Sequence, residues 1–396
     1  MRFFLVGGAV RDILLGKSPA DEDYLVLNAS RESLRARFPK AAEVGTLATA
    51  FMLPGAELSL PRSAHNAPLP AKELSSQRLE SIVDADLCGR DLTINALALD
   101  ENGELHAHPT ALEDLYAGVL RPCSPTALAN DPLRTFRAAR MWAQLPDFTP
   151  HPELIAAMKS VAQSGALAQI AAERVGKEAL KALAAPKPSN FLRLLADTGC
   201  LEPWFAELAD ADGVPAGPWP YHKGSLLRHV YRVLDNMAAL RPADELAGWM
   251  GLTHDLGKTC TQPEDWPKHH GHDKLGENKA MALAQRLLVP RAHTRAGVLA
   301  ARWHMVAACY TTLRPGTRVD LLDTLLKAGA LERMFALVEA DAPEEGPPAT
   351  GLSMLEQARR DADCIRSVRL RPEERGQGAW SGQRLRELRC LALARA

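Results

Sequence analysis

A chain of 396 residues, 46% hydrophobic and 24% charged, has room for two or three domains and the composition of an ordinary soluble protein. No tract is long and apolar enough to span a bilayer as a helix. A net charge of -1 gives no general attraction for polyanions, so a nucleic-acid partner would have to be met by local clusters. Seven scattered cysteines without a Cys-x-x-Cys pair predict reduced thiols in a cytoplasmic protein and exclude a zinc ribbon.

The chain starts with one positive residue and a short apolar run, Phe3 to Val6, which meets Gly7-Gly8 too soon for a secretion signal and predicts a buried strand. Tyr24 to Leu27 predicts a second strand. Between them, Gly7-Gly8-Ala9-Val10-Arg11-Asp12 permits a sharp turn and close backbone approach to a ligand, followed by a helix whose first amides suit a triphosphate. Arg11 can add a charge-assisted bond to a phosphate oxygen. Gly16-Lys17-Ser18 is not a P-loop, because Arg11 stands where the leading glycine should be. At the second strand, alternation puts Asp21 and Asp23 on one face and Glu22 on the other. Paired carboxylates repel unless a cation sits between them, and Mg²⁺ accepts such oxygens while keeping waters and substrate phosphates. A Gly-Gly turn is often only a turn, and most Asp-x-Asp pairs are solvated; the order and spacing of the two together are what point to chemistry.

Glu57, ahead of a strand-breaking Pro61, is either a third carboxylate or a surface strand residue. The polar stretch from Arg62 to Ser81, with Pro68 and Pro70, predicts a mobile loop. From Asp131 onward the pattern turns helical. Asp131-Pro132 has the form of a helix N-cap followed by proline at the first helical position. Arg137 lies three residues beyond Arg134 on roughly the same helix face, with Arg140 drifting round it. Asp212 to Pro220 is the clearest linker, and a second break falls at Pro343 to Gly351. The arginine-rich tail, from Arg366 to Arg395, either tracks a phosphate backbone or forms a solvated helix face, the plainer reading.

Three blocks make a resemblance specific. Gly-Gly-Ala-Val-Arg-Asp followed by Asp21-Glu22-Asp23 resembles the signature of the CCA-adding enzyme and poly(A) polymerase family. Gly89-Arg90-Asp91-Leu92-Thr93-Ile94-Asn95-Ala96 resembles its Arg-Arg-Asp-x-Thr-Ile-Asn-Ala block, with Gly89 in place of the first arginine. Asn130-Asp131-Pro132-Leu133-Arg134 resembles its Glu-Asp-x-x-Arg helix, with Asn130 in place of the glutamate. The resemblance implies that Asp21 and Asp23 hold catalytic Mg²⁺ and that Gly8 and Arg11 contact the triphosphate. It further implies that Arg90, Arg137 and Arg140 contact the nucleotide, while Asp131 and Arg134 read the base. A carboxylate that accepts beside a guanidinium that donates can imitate a Watson–Crick edge, so no template is needed.

Downstream, Leu226-Leu227-Arg228-His229 and His254-Asp255-Leu256-Gly257-Lys258 resemble the signatures of the HD superfamily of metal-dependent phosphohydrolases. That resemblance implies a transition-metal ion, Ni²⁺ being a candidate, on His229, His254, Asp255 and Asp341, with Asp320 as the competitor for the last place. His269, His270, His272 and His304 are candidates to line the same cavity. Met305 stands where related enzymes tend to carry aspartate, which bears on hydrolase activity rather than on the fold.

The expected fold is therefore α+β: a mixed-sheet nucleotidyltransferase head (1–120), a helical nucleotide-recognition and tRNA-binding region (121–211), an all-α HD-like domain (225–342) and a helical basic tail (352–396). The implied activity is template-independent addition of C-C-A to tRNA from CTP and ATP, in a cytoplasmic monomer or homodimer with no membrane partner. Phosphatase or cyclic-phosphodiesterase activity would come from the HD-like module. The alternatives are a partial A- or CC-adding enzyme, a poly(A) polymerase, or an RNA phosphohydrolase whose head only binds.

Overall fold

A computed structural model describes residues 1–19, 21–44, 50–61, 76–219, 223–343 and 350–395. The chain divides into two units, Met1–Ala138 with Asp147–Ala166, and Ala139–Pro146 with Leu167–Ala396. The fold is α+β, with a mixed sheet in the first unit and helices throughout the second. All seven cysteines are free thiols. No helix among the described residues is long and apolar enough to cross a membrane.

The first unit is built on seven strands: β1 (Arg2–Val6), β2 (Glu22–Leu27), β3 (Ala42–Val44), β4 (Ala50–Leu53), β5 (Ala56–Ser59), β6 (Leu97–Leu99) and β7 (Leu105–Ala107). Their order is β3-β4-β5-β2-β1-β6-β7. All neighbours are antiparallel except β2 and β5, which run parallel. Because β2 is internal, Leu25, Val26 and Leu27 are all buried, two toward one face and one toward the other. Phe4, Val6, Leu25 and Leu27 pack with Val83 and Leu87 on one face. Val26, Leu34, Phe51 and Leu58 form the core on the other.

The predicted loop from Arg62 to Ser81 needs correction. Residues 62–75 lie outside the described residues, but Ser76–Cys88 is a helix. Its polar composition hid an apolar stripe: Val83 and Leu87, one turn apart, are buried against the sheet, each contributing about 2 kcal/mol by area removed from water.

In the second unit, helices Leu226–Leu240, Glu245–Thr253, Arg291–Ala308, Pro315–Ala328, Leu331–Asp341 and Gly351–Ser367 enclose a core that includes Val233, Met237, Met250, Tyr310, Leu322, Phe335 and Ile365. The expected linker is more than a tether. Leu226 N–H donates to the Val214 carbonyl at 2.7 Å, Lys258 Nζ to the Ala216 carbonyl at 2.7 Å, and His269 Nε2 lies 2.8 Å from the Pro215 carbonyl. The tail is docked as a helix, Ala379–Leu393, and much of its charge is matched: Arg386 pairs with Asp320, Arg389 with Asp323 and Arg384 with Glu374.

Candidate active sites

In the first unit, strand register gathers the acids. Asp23 lies opposite Val6 on β1 and opposite Glu57 on β5, so Asp23 and Glu57 are side-by-side neighbours in the parallel pair. Asp21 sits at the bend before β2, two residues from Asp23, and both are exposed. The opposite face of β2 is occupied by Tyr24, whose hydroxyl donates to Glu22 at 2.7 Å. The acids therefore end at the rim of the sheet where β1 runs into the glycine turn.

That turn is tighter than a general Gly-Gly reading requires. Gly7 has φ +76°, and a Cβ there would stand 3.0 Å from Nη1 of Arg90; a Cβ on Gly8 would stand 3.4 Å from Nη2 of Arg11. Two guanidinium groups thus lie against the bare backbone. Arg11 is buried, donating to Asp12 at 2.7 and 2.9 Å and to Asn95 Oδ1 at 2.7 Å. Arg90 is held by Asp86 at 2.9 Å. Arg137 Nε donates at 2.7 Å to Asp91, which also accepts from Leu92 N–H at 2.9 Å. Burial works against the Asp91 charge, yet the Arg137 guanidinium and these hydrogen bonds hold its carboxyl down to about 2.

The remaining expected residues divide. Arg134 donates to the main-chain carbonyls of Gly89, Arg90 and Ala127 at 2.7 to 3.1 Å, so it braces the segment carrying Arg90. Asp131 is the C-cap of helix Ala127–Asn130, and its carboxylate accepts from Leu133 N–H at 3.2 Å; the next helix begins at Arg134, two residues later than the N-cap expectation places it. Arg140 falls in the second unit, in an ion pair with Glu178 and bonded to Gln144 at 2.6 Å. Asp91 and Asn95 were quoted from the sequence only as members of a motif, with no role given to either. Their signal was there: two polar residues inside the apolar run from Leu92 to Leu99 or at its edge must find partners if buried.

In the second unit, five elements converge on one buried cluster, two of them being helices His272–Arg286 with His272 and Arg291–Ala308 with His304. His229 comes from helix Leu226–Leu240, His254 and Asp255 follow helix Glu245–Thr253, and Asp341 ends helix Leu331–Asp341. His229 Nε2 lies 3.1 Å from both Asp255 Oδ2 and Asp341 Oδ1, and 3.2 Å from His254 Nε2. On the other oxygen of Asp255, Oδ1, stand His272 Nε2 and His304 Nε2, each at 3.4 Å. The competitor Asp320 is elsewhere, paired with Arg386. His270 is exposed, and His269 bonds to Thr261 and the Pro215 carbonyl. Met305 is half-exposed beside His304.

Gly257 explains the Leu-Gly-Lys that follows the His-Asp pair. A Cβ there would stand 1.9 Å from the His272 carbonyl, so only glycine lets helix His272–Arg286 deliver its histidine. The donor set fits a cation. Asp255 Oδ1 and His272 Nε2 are buried without a hydrogen-bond partner, and two triads of metal-ligand spacing share Asp255. Despite burial, Lys258 and His254 hold the Asp255 carboxyl well below its usual range.

Two family models match the chain: the poly A polymerase head domain over residues 3–121, and a probable RNA and SrmB-binding site of polymerase A over residues 147–212. A multifunctional CCA protein of Methylococcus capsulatus is 37% identical over 413 residues, covering 100% of this chain and 95% of the relative. One from Xanthomonas campestris is 37% identical over 350 residues, covering 86% and 85%. Among solved structures, a Bacillus stearothermophilus CCA-adding enzyme in complex with CTP superposes with a TM-score of 0.65 at 22% identity, covering 99% of this chain and 89% of that one. A Thermotoga maritima CCA-adding enzyme complexed with tRNA superposes at 0.61 and 16% identity, covering 100% and 91%.

Proposed function

Because the chain belongs to the family of bacterial multifunctional CCA proteins, and is thus a nucleotidyltransferase that adds CCA to tRNA, we propose that its first unit transfers CMP and AMP from the rim formed by Asp21, Asp23 and the glycine turn. The observation that carries this reading is the register of Asp23 beside Glu57, next to the turn that lays Arg11 and Arg90 against Gly7 and Gly8.

Bound Mg²⁺ would supply activation of the attacking 3′-hydroxyl and charge compensation for the leaving pyrophosphate. Asp21 and Asp23 would hold it, with Glu57 as the third carboxylate. Arg11 and Gly8 would seat the triphosphate of CTP or ATP, with Arg90, Arg137 and Arg140 as further nucleotide contacts. Asp131 and Arg134 are the proposed base-reading pair; since both already serve the main chain, reading would use their remaining polar edges. The proposed organisation is a head at 1–120, a tRNA-binding region at 121–211, an HD-like module at 225–342 and a basic helical tail at 352–396. The protein would act in the cytoplasm as a monomer or homodimer.

The test is direct. The purified protein with Mg²⁺ is expected to add C, C and then A to tRNA lacking its 3′ end, and Asp21→Ala or Asp23→Ala to abolish this. ATP incorporation alone into any RNA would replace this reading with a polyadenylating one, and stalling after C-C with a partial enzyme.

A second activity is favoured by the buried cluster. Two triads meeting at the two oxygens of Asp255 suit a transition-metal centre, such as Ni²⁺, that would lower the pKa of a water for attack on a phosphoester at the RNA end. His229, His254 and Asp341 would bind on one side and His272 and His304 on the other.

A further inference from the structure

Asn95 closes the 3₁₀ turn Thr93–Asn95 and is buried, with its carboxamide between two groups of opposite character. On one side Arg11 Nη1 donates to its Oδ1 at 2.7 Å; on the other its Nδ2 donates to Asp91 Oδ1 at 3.4 Å. The same carboxylate receives Arg137 Nε on its second oxygen at 2.7 Å. Partner chemistry settles the amide's orientation. A guanidinium can only donate and an ionised carboxylate can only accept, so oxygen must face Arg11 and nitrogen must face Asp91.

We propose that Asn95 is a positioning residue for nucleotide addition, its buried amide joining the arginine of the glycine turn to the Asp91–Arg137 pair so that both guanidinium groups are set before a nucleotide arrives. The proposal rests on the reading that Arg11 and Arg137 contact the nucleotide. Arginine carries much rotamer freedom, and freezing two of them on binding would weaken affinity. Holding them through one amide and one carboxylate removes that cost beforehand. It also places a negative charge between two cations that would otherwise repel across the turn. Leucine at position 95 could fill the volume but join nothing. Aspartate could accept from Arg11 but would face Asp91 with like charge.

The measurement is steady-state addition to tRNA lacking its 3′ end, with CTP, ATP and tRNA varied in turn. Asn95→Ala is expected to raise KM for CTP and ATP about tenfold, the worth of a hydrogen bond to a charged group, with kcat and the KM for tRNA little changed. Asn95→Asp is expected to raise the nucleotide KM as well. The exchange variant D91N/N95D restores a donor beside an acceptor in the reverse order, and should recover most of the loss seen in N95D. A merely structural role predicts instead a lower melting temperature with kcat and both KM values altered together. An unchanged nucleotide KM in N95A overturns the proposal if Arg11→Ala raises it. So does a tRNA KM that rises equally, or an exchange variant no better than N95D. If neither Arg11→Ala nor Arg137→Ala raises nucleotide KM, the nucleotide-contact reading itself falls and this proposal with it.

Discussion

Asp91 is an acid shielded from water whose charge is kept by what surrounds it: Arg137, the Leu92 amide and Asn95. Its folded pKa of about 2 lies below the value of about 3.9 expected in the unfolded chain. A depressed carboxyl contributes stability in full above its unfolded pKa, and that stability is lost as pH falls through the folded one. The contribution is about 2 kcal/mol, and it fades between about pH 4 and pH 2. Asp91→Asn should therefore melt below the wild type at pH 6, with the gap narrowing as pH approaches 2; thermal melts at a gap independent of pH would rule this out. The same scale separates the two glycines. Gly7 combines φ +76° with an Arg90 nitrogen 3.0 Å from any added Cβ, whereas Gly8 meets ordinary contact at 3.4 Å. Gly7→Ala should cost about 1–3 kcal/mol of stability and much of the CTP addition. Gly8→Ala should cost clearly less stability, and equal stability losses in the two variants would contradict the strain argument.

Elements set what could be read from the sequence and what could not. The apolar runs of β1 and β2 were legible as strands, and with them the sharing of one face by Asp23 and Leu25, because period two in a strand follows from backbone geometry; Asp21 lies at the bend before β2, where that rule does not reach. The pairing of β2 with β5 was not legible. A parallel partner must come from a distant segment, and no local signal states that Asp23 will lie opposite Glu57. The helix Ser76–Cys88 was hidden for a different reason: Glu80, Ser81 and Asp84 are polar and exposed, so composition suggested a loop while Val83 and Leu87 kept helical spacing. In the helical half the His-Asp pair was legible as chemistry. That its carboxylate serves two histidine groups, one on each oxygen, depends on Gly257 allowing helix His272–Arg286 to come within reach, which is a matter of backbone contact. Arg140, on the same helix as Arg137, pairs with Glu178, a partner from a distant segment that no local signal names.

At the scale of the whole chain, the acids of the sheet rim and the His-Asp cluster belong to different units, each with its own buried core. Chemistry in one should then survive loss of the other's metal ligands. Asp255→Ala is expected to leave CTP and ATP addition intact while lowering bound transition metal, measured by elemental analysis, and any metal-stimulated phosphatase activity. Loss of nucleotide addition in that variant would make the second cluster structural for the protein as a whole.

The covalent path between the units carries its own consequence. The short piece Ala139–Pro146 belongs to the second unit, and Asp147–Ala166 returns to the first before the chain leaves for good at Leu167. A protease nicking at one point cannot therefore release either body complete. A recombination event with a single junction would transplant one of them only by amputating part of the other, so shuffling of these modules would need either paired breakpoints or a rewired helix Arg134–Gln144.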